Sequence, residues 1–215
     1  FAHIPGIKVI MPATAADAKG LLLSSIFDNN PVIFMEHRWL HNIEGEVPEG
    51  DFRIPLGEAK KIKTGNDFTI VSMSHMTIEA ILAVEILEEH GISIDLIDLR
   101  TVKPIDWGKI FSSVHKTGRL LAIDTGSSTG SIASEIIARV SMECHQSLKV
   151  APKRIALPDF PIPTSYSLTK EFYNRAEDII NMVLQVFGVN LIGRDLIDRS
   201  DLPHDVPGDW FKGPF

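Results

Sequence analysis

Short apolar runs alternate with amphipathic stretches along most of this chain, and that alternation predicts an α/β fold built on a parallel sheet. Lys8–Met11 (KVIM) reads as a short strand. Thr14 stands where an N-cap is needed, with Asp17 three residues on in a capping-box-like pattern, so a helix is predicted from Thr14 through Asp28. Pro31 stops that helix, and Val32–Met35 (VIFM) is a second strand. Strand, helix and strand make a βαβ unit, parallel by crossover logic, that cannot bury both its faces alone.

Residues 37–56 mix charge, Gly and Pro with few periodic apolar positions, the composition of a linker. After them the pattern restarts. Glu58–Lys63 is a charged strand suited to a sheet edge, and Thr64-Gly65-Asn66 turns the chain into the buried strand Phe68–Met73 (FTIVSM). Thr77 to His90 is helical and ends at Gly91, the left-handed position that glycine favours. Ile92–Leu99 is the next strand; Asp106 caps a helix through Lys116, closed by Gly118. Strand Leu120–Ile123, helix Ser131–Met142 and a last strand Lys149–Leu157 follow. Asn174, with Glu177 three residues later, opens a final helix that Gly188 ends. Residues 57–188 therefore supply about five strands and four helices, enough for one complete three-layer unit. Residues 190–215 are polar and aperiodic, an extended tail pinned by Trp210 and Phe211. No internal repeat is present.

Composition narrows the classes. At 215 residues, 44% apolar and 23% charged, the chain is neither disordered, collagen-like nor a coiled coil. Its 21 Lys+Arg against 28 Asp+Glu leave a net charge of -7, which disfavours a phosphate backbone, so no nucleic acid partner is expected. Apolar runs such as Ile78–Leu87 are interrupted by charge and fall short of the ~20 residues of a membrane span, so no membrane partner is expected either. The single Cys144 cannot form an intramolecular disulfide, which fits a reducing compartment. No signal peptide opens the chain, and Phe1-Ala2-His3 reads as the middle of something longer.

Several segments resemble chemistry without completing it. Asp124-Thr125-Gly126-Ser127-Ser128 matches the pepsin-like aspartic protease signature, but that chemistry needs two facing carboxylate loops and the sequence has one. The same stretch read as a strand-to-helix loop, with Gly126 and Gly130, has free N–H groups for an anion yet fits no nucleotide fingerprint; a tight connection is the simpler reading. Glu36, His37 and His41 have metal-ligand side chains but follow a strand, so their spacing does not bring the imidazoles to one helix face. Cys144 and His145 are adjacent on a helix and point apart, which makes a packed thiol the better account than a nucleophile–base pair. His75 falls at the carboxyl end of a strand, where α/β sheets place sites. Backbone carbonyls around Ser25–Pro31, left unpaired at a helix end, have the partial charge to ligate a cation, although a plain Pro-terminated helix explains the segment equally.

The order of five segments carries more information. HIPGIKVIMPATAADAKGLLLSSIFDNNPVIFMEHRWLH, IPLGEAKKIKTGNDFTIVSMS, ISIDLIDLRTVKPID, KTGRLLAID and PDFPIPTSYSLTKEFY together resemble the β-subunit of the thiamine-diphosphate-dependent decarboxylating component of 2-oxo acid dehydrogenase complexes, whose members act on pyruvate, branched-chain 2-oxo acids and acetoin. The likeness spans residues 1–188. It implies a remnant of a pyrimidine-binding domain at 1–41, a linker at 42–56, a three-layer α/β/α transketolase C-terminal-like domain with a mostly parallel five-stranded sheet at 57–188, and an extended tail at 189–215. In that family the glutamate that activates the cofactor and the active-site histidine lie upstream of the segment matching Phe1, and the diphosphate–Mg²⁺ site lies on another subunit. The resemblance thus implies no catalytic and no cofactor-binding residue here, and an isolated chain without activity. It also implies backbone-carbonyl ligands for a monovalent cation such as K⁺ at Ser25, Asp28 and Asn30, half of a complete site. Asp124 replaces a usual Glu, and Thr129-Gly130 a common Gly-Gly pair. The implied partners are an α-subunit or the missing N-terminal half, a lipoyl acyltransferase component, and a second copy joined through the C-terminal domain. The implied location is the cytoplasm, or the mitochondrial matrix in a eukaryote. The alternatives are a free-standing interaction or dimerisation module, and part of a transketolase or deoxyxylulose phosphate synthase.

Overall fold

The computed structural model describes residues 1–170, 172–197, 202–208 and 210–213. It opens on β1 (Lys8–Ile10), α1 (Ala15–Ile26) and β2 (Val32–Phe34), with β1 and β2 parallel as the crossover demands. Thr14 caps α1 by accepting the Asp17 amide at 3.2 Å. The box is not reciprocal, because the Asp17 carboxylate takes the Thr14 hydroxyl at 2.7 Å and turns inward to Arg100. The helix stops at Ile26, two residues before the expected Asp28, where Phe27 leaves the helical conformation.

The main sheet lies in residues 60–157. Its strands are β3 (Lys60–Lys63), β4 (Phe68–Ser72), β5 (Ile94–Asp98), β7 (Leu120–Ser127) and β8 (Lys153–Leu157), in the order β3-β5-β4-β7-β8. The charged β3 is the edge strand and runs antiparallel to β5; every other pair is parallel. Side chains alternate across it. Phe68, Ile70, Leu96 and Leu121 pack against α2 (His75–Glu89) and α5 (Ala176–Phe187), while Val71, Ile97 and Ala122 pack against α3 (Trp107–Thr117) and α4 (Ile132–Glu143). Five strands between two helix layers is the architecture expected.

Three departures from the sequence reading matter. Thr101–Lys103 forms a strand, β6, that the periodicity does not reveal; it pairs antiparallel with β1 and completes a small sheet β2-β1-β6. One face of the opening βαβ unit is therefore covered from within the chain: Val9 joins the core with Val71, Ile97 and Ile110, while β2 stays at the sheet edge and Ile26 and Phe27 are exposed. On its other face Ile10 and Leu21 are covered by Ile54, so the supposed linker packs instead of spanning. Ile54 donates its amide to the Gly20 carbonyl at 3.1 Å, and an added Cβ on Gly20 would meet the Ile54 side chain at 2.7 Å.

Second, β7 runs to Ser127, so the Asp124–Ser127 stretch is strand and not loop; β8 continues beside it, with Ser127 opposite Leu157. The last strand itself begins at Lys153, since the Lys149 amide is taken by the Gly118 carbonyl at 2.8 Å. Third, α5 is capped at Arg175, with Asp178 accepting the Arg175 amide at 2.8 Å; the Asn174–Glu177 pair is one residue out of register. Within the tail, Gly193–Leu196 forms a short helix, α6. The Trp210 indole donates to the Trp39 carbonyl at 3.1 Å, fixing the tail as the sequence suggests.

Candidate functional site

Carboxyl ends of parallel strands are where α/β sheets hold ligands, and here those ends meet the chain leaving β2. Residues 37–40 turn there, with a 3₁₀ turn over Arg38–Leu40 whose start is capped by His37 Nδ1 accepting the Trp39 amide at 3.3 Å. His75 follows β4 at the start of α2, and the two imidazoles lie against each other with centroids 3.9 Å apart and planes tilted by 33°. Trp39 meets both edge-on at 5.3 Å and touches Tyr173 at 5.2 Å. The Arg175 guanidinium lies 5.3 Å from the Trp39 ring centre. This cluster joins the first forty residues, α2 and the approach to α5.

Burial decides its chemistry. Desolvation first, then the neighbouring His37 and Arg175, push His75 down to about 3, so its ring is neutral. Desolvation and His41 lower His37 as well. The charged neighbours that shift the two rings are His41, His37 and Arg175, all of which disfavour the imidazolium. Glu36 and His41 meet at 3.7 Å in solvent while His37 turns away to His75, so the three do not converge. Among the described residues no three His, Cys, Asp or Glu side chains are grouped to hold a metal ion.

The other candidates resolve into structural roles. Asp124 accepts the Gly126 amide at 2.9 Å and the Ala133 amide at 3.2 Å, tying the end of β7 to the start of α4. Its carboxylate is spent on two backbone donors and Ser131 caps the helix, so the anion reading of this turn loses its donors. Cys144 is buried, and its sulfur lies 3.8 Å from Nε2 of His115, a contact between helices that adjacency in sequence could not announce. His115 in turn meets Ser147 at 2.8 Å, yet burial raises the thiol, which is the wrong direction for a nucleophile.

At the end of α1 the three proposed cation ligands sit in one turn. Ser25 donates its hydroxyl to Leu21 O at 2.7 Å, and its carbonyl accepts the Asp28 amide at 3.3 Å. The Asp28 carboxylate takes Lys8 Nζ and, at 2.8 and 2.9 Å, the backbone and side-chain amides of Asn30. Lys8 and then Asn30 hold that carboxyl at about 2, so it is ionised and already balanced by an ammonium. Among the described residues, the carbonyls of Asp28 and Asn30 accept no backbone amide. Neutral oxygen donors of this kind fit a monovalent cation, and the set is incomplete by itself.

Known proteins supply the rest. Residues 57–179 match the family model described as transketolase, C-terminal domain, and residues 1–42 match that of the transketolase pyrimidine binding domain. The chain is 41% identical over 179 residues to the β-subunit of acetoin:2,6-dichlorophenolindophenol oxidoreductase from Cupriavidus necator, covering 83% of this chain and 53% of that one. It is 41% identical over 187 residues to the β-subunit of the pyruvate dehydrogenase E1 component of Rhizobium meliloti, covering 86% and 41%. Against the 2-oxoisovalerate dehydrogenase β-subunit of Bacillus subtilis it is 41% identical over 174 residues, covering 80% and 53%. The chain thus spans about half the length of these relatives. A solved split-gene transketolase, described as an inactive beta4 tetramer, superposes with a TM-score of 0.71 at 24% identity over 88% of this chain and 61% of that one, which is a likeness of fold. With a family model over more than half its length, the chain belongs to the transketolase C-terminal domain family.

Proposed function

We propose that this chain is the C-terminal portion of the β-subunit of a thiamine-diphosphate-dependent 2-oxo acid dehydrogenase. The observation that carries the reading is the 41% identity shared with acetoin, pyruvate and 2-oxoisovalerate β-subunits across at least four-fifths of this chain. The complete enzyme decarboxylates a 2-oxo acid and passes the acyl group to a lipoyl group. Thiamine diphosphate, held with Mg²⁺, supplies the carbanion chemistry when bound. This chain's own task is assembly: residues 57–188 form the structural domain, residues 1–41 the edge of the pyrimidine-binding domain, 42–56 the connection and 189–215 a tail.

The turn Ser25–Asn30 contributes carbonyls of Ser25, Asp28 and Asn30 to a K⁺ site completed by upstream residues. The partners are an α-subunit, a lipoyl acyltransferase component and a second copy of the chain. No helix among the described residues is long and apolar enough to cross a membrane, and the proposed location is the cytoplasm or, in a eukaryote, the mitochondrial matrix. Reconstitution tests the reading. The chain is co-expressed with the upstream half of a related β-subunit and its α-subunit, and 2-oxo acid decarboxylation is assayed with thiamine diphosphate and Mg²⁺. Activity that requires this chain supports it; a complex that forms and stays inactive with pyruvate and branched-chain 2-oxo acids contradicts it.

A further inference from the structure

Among the described residues two besides glycine have positive φ: Ser74 at 52°, with ψ −137°, and Arg100 at 57°. Each lies two residues beyond a register pair, Ser72 opposite Asp98, at the carboxyl ends of β4 and β5. Such strain persists where the surroundings over-determine it. Around Arg100 they do. Its carbonyl accepts the Met11 amide at 2.8 Å, its own amide donates to Asp98 Oδ1 at 3.1 Å, and its guanidinium donates to Asp17 Oδ1 on α1 at 2.5 Å. One arginine thereby holds the small sheet, α1 and the main sheet together.

Two buried carboxylates share one guanidinium here. Asp17 and Asp98 are both buried, at 1% and 0% exposed, and Arg100 is the guanidinium between them. Lys60, the cross-strand partner of Asp98 on β3, reaches Asp17 Oδ2 only at 3.8 Å and is half exposed. From α2 the facing group is the neutral Thr77 hydroxyl, bonded at 3.0 Å to Ser72 of β4. Oδ2 of Asp98 and Nε of Arg100 are buried without a hydrogen-bond partner. A second buried carboxylate beside one guanidinium is stable in the neutral form, since an unpaired buried charge is costly.

We propose that Asp98 carries a proton in the assembled fold, and that losing it loosens the clasp by which Arg100 holds the small sheet on the main one. Desolvation accords with this: with the Asp17 charge it outweighs the Arg100 amide and charge and the Thr77 hydroxyl, and raises Asp98 to about 7. An unfolded Asp ionises near ~4, so opening of the seam releases a proton between those values. The opening constant rises up to about tenfold per pH unit from ~4 to ~7 and levels off above.

Amide hydrogen exchange of the full chain, corrected for intrinsic rates, reads this at Val9, Ile10 and Val102 across that range. Exchange there is expected to climb with pH relative to Ile70, and to be flat in Asp98→Asn, which has no proton to lose. The Asp98 carboxyl carbon, followed by NMR in the unmodified protein, is expected to titrate near 7. Titration near 4, or a seam whose opening climbs equally in Asp98→Asn, overturns the proposal. Should that variant not fold, wild-type exchange that fails to track the Asp98 titration overturns it as well.

Discussion

The Glu79 carboxylate accepts the Ala176 amide at 2.9 Å, so a side chain buried on α2 caps the helix α5 that packs beside it. The same carboxylate lies 3.5 Å from Nη1 of Arg175, whose other donors reach the carbonyls of His204 and Val206. Helix cap, ion pair and tail thus converge on Glu79. Replacing it with Ala removes a cap and half of a buried pair together, at an expected cost of about 3 kcal/mol. Glu79→Gln, which keeps an acceptor, loses less. Urea midpoints of the two variants check the ranking, and equal midpoints for Glu79→Ala and wild type contradict it.

Two helical glycines respond to alanine with opposite sign. On α1, a Cβ at Gly20 meets Ile54 at 2.7 Å and Phe52 at 2.9 Å, so overpacking by roughly 1–3 kcal/mol outweighs the gain in helix propensity. On α3, a Cβ at Gly108 meets only Asp106 Oδ1 at 3.8 Å, and the lost unfolded-state entropy stabilises by ~0.5 kcal/mol. Paired thermal melts read both signs.

Acid sensitivity is expected from His75. Its folded value of about 3 lies below the unfolded value of ~6.5, so its contribution to stability is complete above ~6.5 and is lost as pH falls toward 3. Between pH 6.5 and 5 the wild type should lose up to about 2 kcal/mol that His75→Phe, which keeps a ring against His37, retains. Asp98 has the opposite sign over an overlapping window, because its raised value favours the folded state at lower pH. Denaturant midpoints of the single variants across pH 5–8 separate the two, and identical pH profiles for His75→Phe and wild type contradict the assignment.

Asp124→Ala should destabilise by about 1–2 kcal/mol, since the amides of Gly126 and Ala133 lose their acceptor. Unchanged stability would mean the carboxylate is not holding α4 to β7.

What the sequence made legible was local. Helix α3 appears almost to the residue because both its signals are adjacent to it: Asp106 accepts the Lys109 amide at 3.1 Å and Gly118 adopts φ 73°. What it hid depends on distant partners. Strand β6 is three residues long and exists through β1, and α5 starts one residue late because the acceptor on its first amide comes from Glu79. Burial of Asp95 and Asp98 leaves no sign in Ile92–Leu99; both are fully buried because β5 lies between β3 and β4 with helices on both faces. The His37–His75 and Cys144–His115 contacts join separate elements and leave no periodic trace.

Under the proposed function, cofactor activation belongs to groups outside these 215 residues. Isothermal titration of thiamine diphosphate with Mg²⁺ into the isolated 215-residue chain measures it directly. A trace without saturable heat is the predicted result; tight, stoichiometric binding would contradict it.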